Sequence, residues 1–247
     1  MKKTLIIIGF LLISVAAQAE SIRERLQRAR SQEGQQQAQP PGESAKIKNG
    51  VVTENYSNGS PSMVATYKQG KMDGEAKVYF ENGRLKEVAN YKNDQLHGIR
   101  KKYNEKGKLI LEENYVNGAL DGARKEYDAD GNPMMEETYR NGEREGTQTL
   151  YHPNGKIRSR AEFVNGAREG SIIENYPSGQ LKVETFFKEG LKQWEKKYLY
   201  SETKGSLPHT QLIYVQEHTF GPSGQLIKTR HYDASGKVIF SQEAPKK

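Results

Sequence analysis

Polar residues that could bind a metal recur at a fixed interval along the middle of the chain. They are Asp73, His97, Asp121, Glu145 and Glu169, one every 24 residues. Carboxylate oxygens and imidazole nitrogens are common ligands of divalent cations, so this column raises the hypothesis of a metal ladder. If the column lies on alternate strands of a sheet, its members are about 10 Å apart, whereas metal ligands lie within about 2.6 Å of the ion. We therefore expect these side chains to serve turns and the sheet edge, and we predict no metal or cofactor.

The sequence lacks the other patterns that would support catalysis. The five histidines show neither metal-ligand spacing nor an accompanying nucleophile: His97, His152, His209, His218 and His231. There is no G-x-S-x-G, P-loop or H-E-x-x-H motif, and there is no cysteine. We predict that the protein is not an enzyme. The alternative, a hydrolase of envelope polymers, would need a deep pocket lined by carboxylates.

Basic residues exceed acidic ones. The formal net charge is +7, of which Lys2 and Lys3 supply two, so the rest of the chain is nearer +5. Two clusters, Arg100-Lys101-Lys102 and Arg158-Ser159-Arg160, would be split between the two faces of a sheet if they lie on strands. We expect them to form solvated faces and expect no nucleic-acid partner. An anionic envelope component such as lipopolysaccharide, or an acidic protein, stays open as a partner.

The N-terminus has the pattern of a secretory signal peptide. Lys2 and Lys3 precede an apolar run over residues 5–15, and Ala17-Gln18-Ala19 supplies a small-x-small cleavage site. The apolar run is shorter than the roughly 20 residues that span a bilayer. The absence of cysteine excludes lipid attachment of the bacterial lipoprotein type. We predict cleavage after Ala19, no transmembrane anchor after cleavage, and a periplasmic or secreted protein.

The segment from 20 to 48 is predicted to be a short helix followed by a linker. Ser21 and Glu24 have the spacing of a helix-capping box, with Ile22, Leu26 and Ala29 along one side. Residues 31–44, SQEGQQQAQPPGES, have almost nothing to bury and are typical of a disordered tether. A docking segment that folds on a partner is the alternative.

The region after the linker is an array of repeats. Several columns of residues keep the same 24-residue period: Gly59, Gly83, Gly107, Gly131, Gly155 and Gly179; Gly74, Gly98, Gly122, Gly146 and Gly170; Tyr67, Tyr91, Tyr115, Tyr139, Phe163 and Phe187; Tyr79, Tyr103, Tyr127 and Tyr151. Four columns in phase indicate a repeat protein. With only 34% hydrophobic residues and 14 tyrosines, we expect a thin structure rather than a thick core.

Each unit is predicted to contain two strands and two turns. Asn82-Gly83 marks one turn and Asn117-Gly118 the other, and segments of about eight residues lie between such turns. In residues 85–92, Leu85, Glu87, Ala89 and Tyr91 alternate onto one face. The glycine column at Gly98 and Gly122 falls inside the returning strand, and we expect it to leave room for neighbouring aromatic rings to lie over the backbone.

These residues resemble the bacterial variant of the MORN repeat, in which Tyr-x-x-Gly-x-x-x-Gly recurs in β-hairpins. Residues 67–74 (YKQGKMDG), 115–122 (YVNGALDG) and 139–146 (YRNGEREG) match the pattern fully. Asp94 departs from it at the first glycine, and Phe163 and Phe187 replace tyrosine. The resemblance covers residues 49–190, with looser hairpins to about 240. It implies an elongated antiparallel sheet that serves protein or lipid contacts, and chains of this pattern are grouped as YwqK-like antitoxins.

We therefore predict an all-β fold, an elongated antiparallel sheet of tandem 24-residue two-strand repeats. The predicted segments are the signal peptide 1–19, the helix and linker 20–48, the repeats 49–193, and divergent capping hairpins and a tail at 194–247. In the last segment the 24-residue register is lost, and Trp194 is expected to cap the array. Contact with a partner is the alternative role for Trp194.

Three functions follow from these expectations. The first is an exported, non-enzymatic protein that presents a β-surface to a protein or an envelope component. The second is a YwqK-like antitoxin or immunity protein, and the third is the hydrolase named above. The residues that we expect to define the repeat are Gly74, Gly98, Gly122, Gly146, Gly170, Tyr67, Tyr91, Tyr115, Tyr139 and Phe163. The oligomeric state is not written in the sequence.

Overall fold

The computed structural model describes residues 49–201 and 211–245. The predicted signal peptide at 1–19 and the predicted helix and linker at 20–48 lie outside the described residues. Within the described ranges, no helix has the length and apolar character needed to cross a membrane.

The described residues form strands joined by short turns. The strands are β1 (Asn49–Asn55), β2 (Pro61–Lys68), β3 (Lys71–Tyr79), β4 (Leu85–Lys92), β5 (Gln95–Tyr103), β6 (Leu109–Val116), β7 (Ala119–Tyr127), β8 (Pro133–Arg140), β9 (Glu143–Arg144), β10 (Gly146–Tyr151), β11 (Ile157–Val164), β12 (Ala167–Asn175), β13 (Leu181–Lys188), β14 (Leu191–Tyr200), β15 (Leu212–Phe220), β16 (Leu226–Asp233) and β17 (Val238–Glu243).

All 17 strands belong to one antiparallel sheet in which chain neighbours pair. Strands β9 and β10 are two pieces of one row, and both pair with β8. Within the described residues no pairing closes the sheet, so β1 and β17 are its edges. At about 4.8 Å per strand the sheet is about 70 Å long, against about 27 Å along its strands. The prediction of an elongated all-β repeat sheet is confirmed.

One set of turns is the tight two-residue hairpin. Asn117 and Gly118 have φ values of 50° and 85°, both in the left-handed region that a type I′ turn requires. Asn141-Gly142 and Asn165-Gly166 have the same conformation. Asp94 replaces the glycine at the departing repeat and still adopts a φ of 68°. Successive tight turns are tied together, because Gly142 N–H donates to Leu120 O at 2.7 Å.

The second set of turns, which includes Asn82-Gly83, differs in geometry from the tight turns, although both sets often contain an Asn-Gly dipeptide. At Asn82-Gly83 only the glycine has a positive φ, 79°. Gly83 N–H donates to Phe80 O at 2.8 Å, and Arg84 N–H donates to the Asn82 side chain at 3.0 Å. A bulge follows, since Tyr79 pairs with Leu85 but Val78 pairs with Glu87. This is a type I turn with a left-handed glycine, followed by a bulged strand.

The buried hydrophobic residues lie on one face of the sheet, which we call the Tyr face because it carries the aromatic column from Tyr67 to Phe187. Cross-strand pairing of Ala65 with Ala76, and of Ala76 with Ala89, places these side chains on that face. Ala65 and Ala89 are fully buried. The predicted face of β4 is correct for Glu87, Ala89 and Tyr91, which are all buried, but the bulge pairs Leu85 with Tyr79 and takes it out of this alternation.

Candidate functional site

The polar column at Asp73, His97, Asp121, Glu145 and Glu169 serves the turns. Asp121 accepts a hydrogen bond from Asn141 N–H at 3.1 Å, and Glu145 accepts one from Asn165 N–H at 2.9 Å. Glu169 accepts one from Glu189 N–H at 2.7 Å. His97 likewise accepts a hydrogen bond from Asn117 N–H at 3.4 Å, so these four side chains each hold the tight turn that follows by 20 residues, whereas Asp73 makes no such bond within the described residues. Within residues 49–201 and 211–245, no three acidic or histidine side chains converge as a metal site would require.

Each glycine of the second column lies directly opposite an aromatic residue of the next strand. The pairs are Gly74 with Tyr91, Gly98 with Tyr115, Gly122 with Tyr139, Gly146 with Phe163 and Gly170 with Phe187. Their φ values are positive, for example 108° at Gly122. Such a φ is costly for residues with a side chain, which is one reason for glycine here.

A side chain at Gly74 or Gly122 would meet a polar residue of the preceding strand. A methyl group added at Gly122 would lie 3.2 Å from Asn114 Cβ, and one added at Gly74 would lie 3.1 Å from Thr66 Cβ. By strand alternation, Asn114 and Thr66 point to the face opposite the aromatic rings. The Asn114 amide donates to Ala123 O at 2.8 Å. The group that approaches Gly122 closely is therefore the polar side chain of Asn114, which donates a hydrogen bond to the strand that contains this glycine.

Charged side chains form a row across the Tyr face that sequence analysis missed. We call this row the ion ladder, and its members are Glu87, Arg100, Glu113, Arg124 and Glu137. Arg100 Nε lies 2.7 Å from Glu87 Oε1 and Arg100 Nη1 lies 3.4 Å from Glu113 Oε2. Arg124 Nε lies 3.2 Å from Glu113 Oε1 and Arg124 Nη1 lies 2.7 Å from Glu137 Oε1. The guanidiniums thus join carboxylates across five successive strands.

The ion ladder is largely buried, and each of its charges has an oppositely charged partner. Arg124 is half-buried and the other four members are buried. Burial alone would lower the pKa of Arg100, but its hydrogen bond to Glu87 and the charges of Glu87 and Glu113 raise that pKa above its ordinary value. The expectation of a solvated face was therefore wrong for Arg100. Its neighbour Lys101 lies on the other face and pairs with Glu112 at 3.0 Å.

Tyrosines and a glutamine complete the hydrogen bonding of the ladder carboxylates. Tyr115 Oη donates to Glu113 at 3.0 Å and Tyr139 Oη donates to Glu137 at 2.8 Å. Gln148 Nε2 donates to Glu137 at 2.9 Å. Burial raises the pKa of both tyrosines, so they remain neutral donors. The carboxylates of this part of the face have little free capacity for a ligand.

Beyond β10 the same row loses its charges and the face becomes concave. Gln148 pairs with Ala161, and Ile172 pairs with Thr185 on the following strands. A cavity of about 340 Å³ lies here. Its lining residues are Gln148, Leu150, Ser159, Ala161, Arg168, Ile172, Glu174, Val183, Thr185, Phe187, Lys192 and Glu195. The lining is therefore mixed, with polar and charged side chains among the apolar ones.

A second cavity of about 360 Å³ adjoins the first and shares three lining residues with it. Its lining residues are Leu150, His152, Arg158, Ser159, Glu174, Asn175, Tyr176, Pro177 and Lys182. We call the two cavities together the groove. The groove arises where the uncharged residues Gln148 and Ile172 follow Arg124, and Ala161 and Thr185 follow Glu137, at the 24-residue period.

Cations line the groove without carboxylate partners. Within the part of the chain that the structure describes, Arg158, Arg168 and Lys182 make no ion pair. Arg168 instead lies over the Phe187 ring, 5.8 Å from its centroid, and Lys182 lies over the Tyr176 ring at the same distance. Lys192 is paired with Glu195 at 2.9 Å. Glu174 is a carboxylate common to both cavities.

The C-terminal hairpins continue the sheet without a break. Trp194 lies inside β14 and stacks on Phe186, with ring centroids 5.7 Å apart and planes 10° from parallel. Lys196 Nζ lies 4.8 Å from the centroid of the Trp194 ring. Trp194 thus packs between a neighbouring strand and a lysine on the face opposite the Tyr face. Residues 202–210, between β14 and β15, lie outside the described residues.

The comparisons with known proteins identify a family but no activity. A family model described as an uncharacterised protein matches residues 17–193, and the chain belongs to that family. No match was found among curated proteins.

Solved structures show only weak similarity. A chain in the crystal structure of TcdB2-TccC3-Cdc42 is 14% identical over 79% of this chain and 10% of its own length, with a TM-score of 0.21. The Photorhabdus luminescens Tc holotoxin pore matches with 15% identity over 78% of this chain and 9% of its own length, with a TM-score of 0.22. A porin-like protein from Bacteroides uniformis is 11% identical over 73% of this chain and 92% of its own, with a TM-score of 0.18. This chain spans about a tenth of the first two, and these scores carry no argument about function.

Proposed function

We propose that this chain is an exported, non-enzymatic MORN-like repeat protein that binds an acidic partner in the groove of its Tyr face. The partner is an acidic protein or an anionic envelope component. The observation that carries the proposal is the contrast along one face. The ion ladder is neutralised within the protein, whereas Arg158, Arg168 and Lys182 line a concavity without carboxylate partners.

The composition of the groove favours such a ligand. Its lining includes apolar side chains such as Ile172 and Val183, and it includes a cation, Arg168, that lies over an aromatic ring. Cations on aromatic faces keep their N–H groups available for carboxylate or phosphate oxygens. A single sheet with a wide shallow groove suits binding of a macromolecule better than enclosure of a reacting group.

The decisive experiment is affinity capture from envelope extracts with two matched variants of the mature chain, residues 20–247. Arg158→Glu reverses a charge that lines the groove. Arg160→Glu reverses a charge on the same strand that lies outside both cavities and is equally exposed. We expect a captured component whose recovery falls at least tenfold for Arg158→Glu and is unchanged for Arg160→Glu.

The identity of the captured component, and the dependence of its recovery on salt, distinguish the proposed function from its alternatives. Binding by exposed cations weakens as ionic strength rises, so recovery should fall with added salt. Equal recovery with both variants would overturn the groove as the binding site. Capture of a toxin polypeptide would assign the immunity role instead, and turnover of an envelope polymer would overturn the non-enzymatic assignment.

A further inference from the structure

Strand β17 leaves an apolar edge exposed at the end of the sheet. All six of its residues, Val238 to Glu243, are exposed. Val238, Ile239 and Phe240 are consecutive and are 47%, 59% and 42% exposed. Consecutive apolar residues on an edge strand favour pairing with another strand.

The outer edge of β17 also has free backbone groups. Ala244 N–H donates to Ile227 O of the preceding strand at 2.9 Å. Because backbone groups alternate in direction along a strand, those of Ser241 and Glu243 lie on the outer edge. Within the described ranges, no strand pairs with that edge.

The protection of this edge strand is confined to its ends, where Glu243 is the charged residue within β17. Natural edge strands carry lysine, proline or inward charges that block further pairing. In this chain Lys237 and Pro245 flank β17, and the residues between them, VIFSQEA, include neither lysine nor proline.

We propose that β17 pairs antiparallel with β17 of a second copy of this chain, so that two sheets continue as one. The charges at the strand ends select this arrangement. Antiparallel pairing brings Lys237 of each copy towards Glu243 of the other, whereas parallel pairing would place like charges side by side. Glu243 is 69% exposed in its pairing with Lys228 and is accessible to a second cation.

A β17-to-β17 contact closes after two copies. The same strand contributes from each side, so the contact is isologous and leaves no further copy of the edge unpaired. Pairing of β17 with β1 would be head-to-tail and would continue into filaments. One strand pair is a small interface, so we expect a dimer that dissociates at micromolar concentrations.

Sedimentation of the mature chain over a range of concentrations tests the proposal. We expect a concentration-dependent dimer. Ile239→Lys, which places a charge on the exposed edge, should weaken dimerisation at least tenfold. The matched control is Val51→Lys on β1, which is 66% exposed and should leave dimerisation unchanged. Monomers at every concentration, filaments, or equal effects of the two variants would overturn the proposal.

Cross-linking gives a second measurement that does not depend on a destabilising charge. The chain has no cysteine, so a single introduced thiol reports only its own position. Ser241→Cys should give a covalent dimer on mild oxidation, because the two copies of residue 241 lie near the centre of the antiparallel pair. Thr53→Cys on β1 should not. A covalent dimer from Thr53→Cys alone would place the interface at the other edge.

Discussion

Arg124 on β7 donates a 2.7 Å hydrogen bond to Glu137 on β8, and the Glu137 side chain is only 1% exposed. The pair is one step of the ion ladder, in which Arg100 joins two carboxylates and Arg124 also contacts Glu126 as a third. A buried ion pair has a large desolvation cost, so its presence is weak evidence of net stabilisation. Removal of only one partner of such a pair is strongly destabilising, because the other partner stays buried as an unpaired charge. The ladder therefore makes the centre of the sheet sensitive to the loss of any one member.

The first prediction compares adjacent cations on β5. Arg100→Leu leaves the buried Glu87 without the guanidinium that bonds it, and we expect a loss of about 3 to 5 kcal/mol in the free energy of unfolding. Lys101→Leu removes only a partly exposed pair with Glu112 and should cost about 1 kcal/mol or less. Urea unfolding of both variants measures the difference. Similar losses would mean that the ladder is no more important than a surface pair.

The second prediction concerns acid. Burial alone would raise the pKa of Glu137, but hydrogen bonds from Tyr139, Gln148 and Arg124 outweigh burial and hold its pKa below the ordinary value. A carboxyl with a lower pKa in the folded chain stabilises the fold above its unfolded pKa of about 4.3, and that contribution is lost as the pH falls through the folded pKa. Glu137→Gln should therefore lose less unfolding free energy than the natural protein between about pH 5 and about pH 3. Urea unfolding across this range is the measurement, and parallel pH profiles would contradict it.

Much of the fold could be predicted from the sequence because its determinants are local. The tight turns need two residues with positive φ, and Asn117-Gly118 is a dipeptide whose two residues adopt such φ values readily. The 24-residue period then fixes how strands follow one another. The two turn types could not be separated, since Asn82-Gly83 has the same residue types but only its glycine has a positive φ.

The ion ladder and the groove could not be predicted because both depend on register between strands. A bulge shifts the pairing once in each hairpin, as between Glu113 and Tyr115. After the first step the spacing of the ladder residues alternates between 13 and 11 residues, so Arg100 and Arg124, and Glu113 and Glu137, keep the 24-residue period, whereas Glu87 does not. Alternating charge at these positions on the tyrosine-bearing face is the feature that could have revealed the ladder.

The third prediction separates two reasons for glycine. Gly107 and Gly122 both have positive φ values, 79° and 108°. A methyl group at Gly107 would meet nothing within 4 Å, whereas one at Gly122 would press on Asn114. Gly107→Ala should cost about 1 to 2 kcal/mol from backbone strain alone. Gly122→Ala should cost more, because Asn114 must also move from its hydrogen bond to Ala123. Equal costs in thermal or urea unfolding would show that strain is the whole reason.

The fourth prediction concerns export. Lys2, Lys3 and the apolar run before Ala17-Gln18-Ala19 predict a mature protein that begins at Glu20. Mass spectrometry of the protein from cell fractions measures its N-terminus. Ala19→Arg removes the small residue at the cleavage site and should leave the precursor uncut. An intact Met1 on a cytoplasmic protein would contradict the prediction.

The last prediction concerns what holds neighbouring repeats together. Tyr115 lies between Gly98 and Leu120 on adjacent strands, and its hydroxyl bonds Glu113 of the ion ladder. Tyr115→Ala removes a half-buried ring and leaves that carboxylate with one donor fewer, so we expect a loss of about 2 to 3 kcal/mol. Val116 is 44% exposed on the opposite face, and Val116→Ala should cost about 0.5 kcal/mol or less. Because each repeat is stabilised mainly by its neighbours, the loss at Tyr115 should appear in unfolding of the whole array. Urea unfolding decides the matter, and an equal or larger loss for Val116→Ala would mean that the aromatic column is not what packs the repeats.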